Sequence, residues 1–219
     1  GIDSYREWLT RHAEPIYLRK SAASGKPIYA VKRMIGVIDM PSDRLLTIGE
    51  AQLHGEKNKL SEKEAVSISI HNAHGLIGRL AYLSVELREG NSPNMPCCSA
   101  CIDSANCYWS SGTVYSKYCG FTFWPRSSQN AFGCHSVMDS SFCINCYRSH
   151  KLSRCAECDT CRDCSDSYFC HNCENVHDSM FCFNAKNLKY AIGNVEVGKE
   201  EYDRVKGMVV RELLARLEK

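Results

Sequence analysis

Residues 143 to 173 read CINCYRSHKLSRCAECDTCRDCSDSYFCHNC, and the spacing of their cysteines decides the architecture. Cut in nines from Cys98, the chain becomes CSACIDSAN, CYWSSGTVY, SKYCGFTFW, PRSSQNAFG, CHSVMDSSF, CINCYRSHK, LSRCAECDT, CRDCSDSYF, CHNCENVHD, SMFCFNAKN. Thirteen of the 15 cysteines fill the first or fourth position of this repeat, and only Cys97 and Cys158 do not. The seventh position holds small or β-branched residues, among them Ser104, Thr113, Thr122, Ser140 and Ser167. Along a flat strand, residues three apart face opposite sides. Positions one, four and seven share one core only if the chain turns a corner about every three residues. That is a narrow β-solenoid, whose thin interior admits only small side chains and stacks equivalent thiols about 4.8 Å apart. The repeat leaves a rung of nine or of eighteen residues open.

All cysteines lie between Cys97 and Cys182, so thiol chemistry belongs to one segment. An odd count with no recognisable secretory leader disfavours a full disulfide set and points to thiols that are reduced or metal-bound. C-x-x-C turns paired two by two make tetrahedral zinc sites. The candidate ligands are Cys143 and Cys146 with Cys161 and Cys164, interleaved with Cys155 and Cys158 joined to Cys170 and Cys173. Cys98 and Cys101 form a further pair that Cys107 and Cys119 could complete. A strict period also produces C-x-x-C without metal, so a zinc array and a metal-free thiol ladder both stand, and an array and a ladder are compatible if the metals sit along the solenoid.

The flanks differ. Residues 1–90 read as a mixed α/β domain: a short helix from Ser4 to His12, strand character from Pro27 to Asp39, and a capping box of Ser61 with Glu64. A stripe of Val66, Ile70, Ala73, Ile77, Leu80 and Leu87 then favours a continuous helix over a strand at Val66 to Ile70. Residues 91–96 (NSPNMP) read as a linker, 97–196 as the repeat domain, and 197–219 as an amphipathic helix carrying Tyr202, Val205, Val209, Leu213 and Leu217, placed over the open end of the stack. The expected class is α+β.

From Cys143 onward, through the Tyr190-Ala191-Ile192-Gly193-Asn194 segment and the Glu200-Glu201-Tyr202 helix start, the sequence resembles cysteine-rich tandem C-x-x-C proteins of tailed phages and uncultivated bacteria and archaea. The likeness covers Cys97 to Lys219, with Ala191 where that family usually has cysteine. It implies a structural, virion-associated role without an assigned activity.

Other chemistries find little support. Lys plus Arg total 27 against 25 Asp plus Glu, and residues 91–187 hold seven basic and eight acidic side chains, a poor balance for phosphate. No apolar run is long enough to span a membrane. His71 and His74 lack a carboxylate partner in sequence, and Cys134-His135 and Cys170-His171 are neighbours whose side chains diverge. The aromatics between Tyr108 and Trp124 read as a hydrophobic junction rather than a base-stacking platform. The expectation is a non-enzymatic docking or assembly component with protein partners, cytoplasmic or in a virion, and a homo-oligomer is compatible. A zinc-ribbon-like nucleic-acid adaptor using Lys117, Arg126, Arg148, Lys151 and Arg154, and a C-x-x-C redox protein, are the alternatives.

Overall fold

The computed structural model describes residues 1–31 and 41–217. The chain divides into two compact units, residues 15–89 and residues 1–14 together with 90 onward. The first fourteen residues, read above as part of a domain over 1–90, thus fold with the solenoid.

The solenoid rung is twelve residues. Parallel bridges join Ala105 to Lys117, Tyr147 to Asp159, His171 to Phe183 and Met180 to Ile192, each a step of twelve. The nine-residue period is a multiple of a shorter one. Every third residue from Cys97 to Tyr190 takes a left-handed backbone, with φ between +41° and +58° for all but Gly112 at +65° and Gly133 at +68°. Each rung therefore has four corners. Positions one, four and seven of the nines are one inward-facing position, which also takes in Cys158.

Left-handed backbone costs an L-residue about 1–2 kcal/mol, and the inter-rung ladder compensates. Tyr108 N–H bonds Cys119 O at 2.9 Å and Tyr115 N–H bonds Ile102 O at 3.0 Å, a pattern that recurs along the stack. A third class of N–H, that of the inward residue, is met by a side chain one rung away. Ser116 N–H bonds Ser104 Oγ at 3.1 Å, Ser128 N–H bonds Ser116 Oγ at 3.2 Å, and Leu152 N–H bonds Ser140 Oγ at 2.9 Å. Each of these hydroxyls donates to the carbonyl two residues back, as Ser116 does to Val114 at 2.9 Å. This relay needs a short side chain that both donates and accepts, and it lapses where Val137, Leu152 or Val176 stands inward. Serine meets that demand fully and cysteine more weakly, as Cys146 N–H on Cys134 Sγ at 3.4 Å shows.

Residues 91–96, expected as a linker, enter this lattice. Asn91 N–H bonds Asp103 Oδ1 at 3.0 Å, Ser92 Oγ accepts Ser104 N–H at 3.2 Å, and Asn94 Nδ2 bonds Asn106 Oδ1 at 2.8 Å, all twelve-residue steps. At the far edge a short hairpin, Ala191–Ile192 with Val195–Glu196, closes the ladder. Asn194 receives Phe183 N–H at 2.9 Å and donates to Phe183 O at 2.9 Å, while Glu196 accepts Lys189 N–H at 2.9 Å.

One outward column, Tyr108, Gly120, Phe132, Ile144, Ala156, Tyr168, Met180 and Ile192, is largely apolar. Both ends of the chain pack along it. A 3-10 turn over Ile2–Tyr5 leads into α1 (Arg6–Leu9), where Arg6 lies 4.3 Å from the Trp109 ring and Trp8 Nε1 donates to Glu157 Oε1 at 2.8 Å. Gly133 is obligatory beneath it: at φ +68°, a Cβ would meet the Leu9 carbonyl at 2.7 Å. The C-terminal helix is α5 (Lys199–Leu217). It runs beside the wall rather than over the end of the stack, because that wall is the apolar one. Tyr202 is buried there and its hydroxyl donates to Asp166 O at 3.0 Å.

In the other unit, β1 (Ile16–Lys20) pairs antiparallel with β2 (Pro27–Val31). The strand character read beyond Val31 falls at 32–40, outside the described residues. Ile28, Ala30, Leu45 and Val85 form its small core. Three helices follow: α2 (Ile48–Lys57), α3 (Glu62–Val66) and α4 (Ala73–Ile77). The capping box of Ser61 and Glu64 is present, but the continuous helix is not. Ser67 Oγ bonds Glu64 O at 2.9 Å, and Asn72 both accepts Ser69 N–H at 2.7 Å and donates to Ser67 O at 3.0 Å. These side chains compete for the backbone and end the helix after one turn. Val66 and Ile70 are 80 % and 93 % exposed, so the stripe that suggested a buried helix face is not buried.

Candidate functional site

The inward thiols are the chemistry-bearing groups of this chain. Fourteen of the 15 cysteines are buried and reduced, and only Cys97, which sits at a corner, is half-buried. Each C-x-x-C pair straddles one corner, so its two thiols enter the interior from adjacent walls.

The candidate zinc ligands are committed to their own backbone. Cys143 Sγ donates to Ser141 O at 3.4 Å, Cys155 to Ser153 O at 3.5 Å, Cys164 to Arg162 O at 3.1 Å, and Cys173 to His171 O at 3.4 Å. Cys155, Cys164 and Cys173 reach a second carbonyl nine residues on, and Cys146, Cys158 and Cys161 likewise each reach two. Cys98, Cys101 and Cys170 donate to Pro96 O at 3.4 Å, Ser99 O at 3.8 Å and Tyr168 O at 3.4 Å. What the fold brings together is the one-wall stack of Cys134, Cys146, Cys158, Cys170 and Cys182, spaced twelve apart, beside Cys143 with Cys155 and Cys161 with Cys173 on neighbouring walls. Among the described residues no group of three or more His, Cys, Asp or Glu side chains is disposed to hold a metal ion. Tetrahedral zinc needs four thiolates turned to one point, whereas these sulfurs are strung along an axis as neutral donors to carbonyls.

Electrostatics divides the inward thiols. Burial, then the Cys134 and Cys143 thiols, pushes Cys146 well above the ordinary thiol range. Contact with Cys146, Cys155, Cys161 and Cys170 pushes Cys158 up, and burial adds to it. Burial pushes Cys173 up to about 11. Cys107, Cys143 and Cys170 go the other way, drawn down by bonds from Cys119, from Cys146, and from Cys158 with Cys182. So does Cys161, because Cys158 and Cys164 both donate to its sulfur. It is still only 2 % exposed, so no substrate disulfide reaches it.

The cysteine–histidine neighbours point apart, as inward and outward positions must. His135 stacks between Phe123 and Tyr147, 4.8 Å from each ring, and His171 Nδ1 bonds Asp159 Oδ2 at 3.0 Å. His71 and His74 are exposed in the other unit.

The outer walls carry ladders in the same twelve-residue step. Arg154 grips Asp166 through two bonds of 2.7 and 2.6 Å, Lys186 meets Glu174 at 2.7 Å, and Lys151 lies 3.9 Å from Asp163. Amide pairs join Asn172 to Asn184 and Asn175 to Asn187, and Phe169 stacks on Phe181 with ring centres 5.2 Å apart. The basic residues singled out for nucleic acid are dispersed over different columns. Arg148 lies over the Tyr147 ring at 4.7 Å, and Lys151 and Arg154 face aspartates. Of the clustered aromatics, Phe121 and Phe123 are buried, while Tyr115, Tyr118 and Trp124 are exposed at separate corners. Sequence reasoning missed these outward ladders, because a column spaced by twelve is invisible when the chain is cut in nines.

No helix of the described residues is long and apolar enough to cross a membrane. Comparison with protein-family models, curated proteins and solved structures finds no match.

Proposed function

We propose that this chain is a non-enzymatic scaffold whose solenoid offers rigid, laddered walls to a protein partner within an assembly. The carrying observation is the division of labour across the wall. Every inward thiol is sealed and hydrogen-bonded to backbone, while charged, amide and aromatic side chains repeat outward at rung spacing. A site for chemistry needs a group that a substrate can reach, and the thiols offer none. In this reading the thiols work reduced and without metal, as weakly polar fillers of a narrow core. The likeness to phage cysteine-rich proteins supports a virion as one such assembly.

The test is thiol accounting with elemental analysis on the purified chain. The reading expects one fast-reacting thiol, Cys97, with the other fourteen released only on unfolding, and no stoichiometric metal. Stoichiometric zinc would restore the metal array. A rapidly alkylated inward cysteine in the folded protein would favour thiol redox chemistry.

A further inference from the structure

The apolar column and α5 do not close on each other. Between them lies a groove of about 420 Å³, within the range that small-molecule sites occupy. Its floor is Ile144, Ala156 and Tyr168 of the solenoid column. Ala156 is the small residue between two large ones, so the column is notched there. Trp8 and Leu9 of α1 close one side. Val210 and Leu213 of α5 overhang the other, and both are only half-buried. Tyr202 alone of the α5 side chains is fully buried, so the helix keeps apolar surface that the wall does not cover.

One charged residue lines this groove, Lys206. Its ammonium lies 5.0 Å from the Tyr168 ring and 5.6 Å from the Tyr202 ring, held at the rim by aromatic faces. The neighbouring carboxylate, Asp166, is engaged by both Arg154 bonds. A long apolar trough with a single cation at its edge is complementary to one ligand chemistry, an aliphatic chain ending in an anion.

We propose that this groove binds a single-chain aliphatic carboxylate, its tail over the Ala156 notch and its head on Lys206. The site is independent of the scaffold reading, since it uses no thiol and none of the charged, amide or stacked aromatic pairs on the other walls.

The test is calorimetric titration of the full chain with decanoate, 1-decanol and decyltrimethylammonium. Decanoate is expected to bind saturably and at least about tenfold more tightly than either comparator, the scale of one charge-assisted hydrogen bond. Lys206→Met should lower decanoate affinity about tenfold and leave decanol unchanged. Ala156→Phe should abolish binding of decanoate with the melting temperature unchanged or raised, since it fills a void. Absence of saturable decanoate binding, equal affinity for the three head groups, or retained binding in Ala156→Phe overturns the proposal. So does a dimer, seen by light scattering, that Ala156→Phe dissolves, because a second copy would then be the occupant.

Discussion

Ser128 Oγ accepts the backbone N–H of Ser140 at 3.3 Å and donates to the Arg126 carbonyl at 2.8 Å, so one hydroxyl bridges two rungs. Ser128→Ala leaves that buried N–H without its acceptor, which costs about 1–3 kcal/mol. Ser128→Cys should lose less, because Cys134 serves Cys146 in the same way. Urea unfolding of both variants decides it, and equal losses would show that the relay contributes nothing.

Cys158 is fully buried beside the thiols of Cys146, Cys155, Cys161 and Cys170. Cys158→Leu should destabilise by about 1–3 kcal/mol through overpacking. Cys158→Ser, which keeps the donor to Ala156 O and Ser167 O, should cost less. A leucine variant as stable as the parent would mean that the interior yields at this rung.

Asn194 stands in for the missing next rung. Asn194→Ala should free Phe183 N–H and C=O, raise amide exchange in the last rung, and promote edge-to-edge association visible by light scattering. Unchanged exchange at Phe183 would remove the amide from that role.

In the smaller unit, Ser21 Oγ donates to Glu50 Oε2 at 2.5 Å, and this bond, then that of Ser24, draws the Glu50 carboxyl down from 4.5 to about 2. A lowered folded value means stability that is full above about 4.5 and lost as pH falls toward 2. The stability gap between the parent and Glu50→Gln should therefore shrink across that window. In Ser21→Ala the Glu50 titration, followed by NMR, should rise toward its ordinary value; a titration that stays put assigns the shift elsewhere.

Thr160 holds a β-branched side chain at φ +54° on an exposed corner. Thr160→Asn should stabilise by about 1 kcal/mol, since asparagine tolerates left-handed backbone far better. Thermal melts give the sign directly, and a loss would mean that the Thr160 hydroxyl bond to Asp159, 2.8 Å long, outweighs the backbone term.

The inward face was legible because its rule is local: an inward side chain every third residue, most often Cys or Ser, with Cys158 obeying it as closely as Cys155 does. Rung length was not, because nine and twelve are both multiples of three and the interior repeats faithfully at either. Only outward residues tell them apart. Lys186 must meet Glu174 and Phe181 must meet Phe169, pairings set by geometry across rungs rather than by the neighbours along the chain. The ligand pairs for zinc were likewise read along the chain and not across rungs. Cys161 and Cys164 look like a knuckle on paper, yet the corner between them sends each sulfur to a separate carbonyl. Around Val66 the error was of another kind, since Asn72 and Ser67 cap the backbone locally and override the helical spacing of apolar residues.

The four-cornered rung also sets the step in which such a chain can change length. Losing three residues between Ala156 and Asp166 keeps the downstream inward positions inside but rotates everything that follows by a quarter turn, taking Tyr168 and Met180 out of line with Ile144 and Ala156 and parting Arg154 from Asp166. Losing twelve shortens the stack by one whole turn and leaves both faces in phase. The interior counts in threes and the exterior in twelves, so only the exterior restricts how this architecture can grow or shrink.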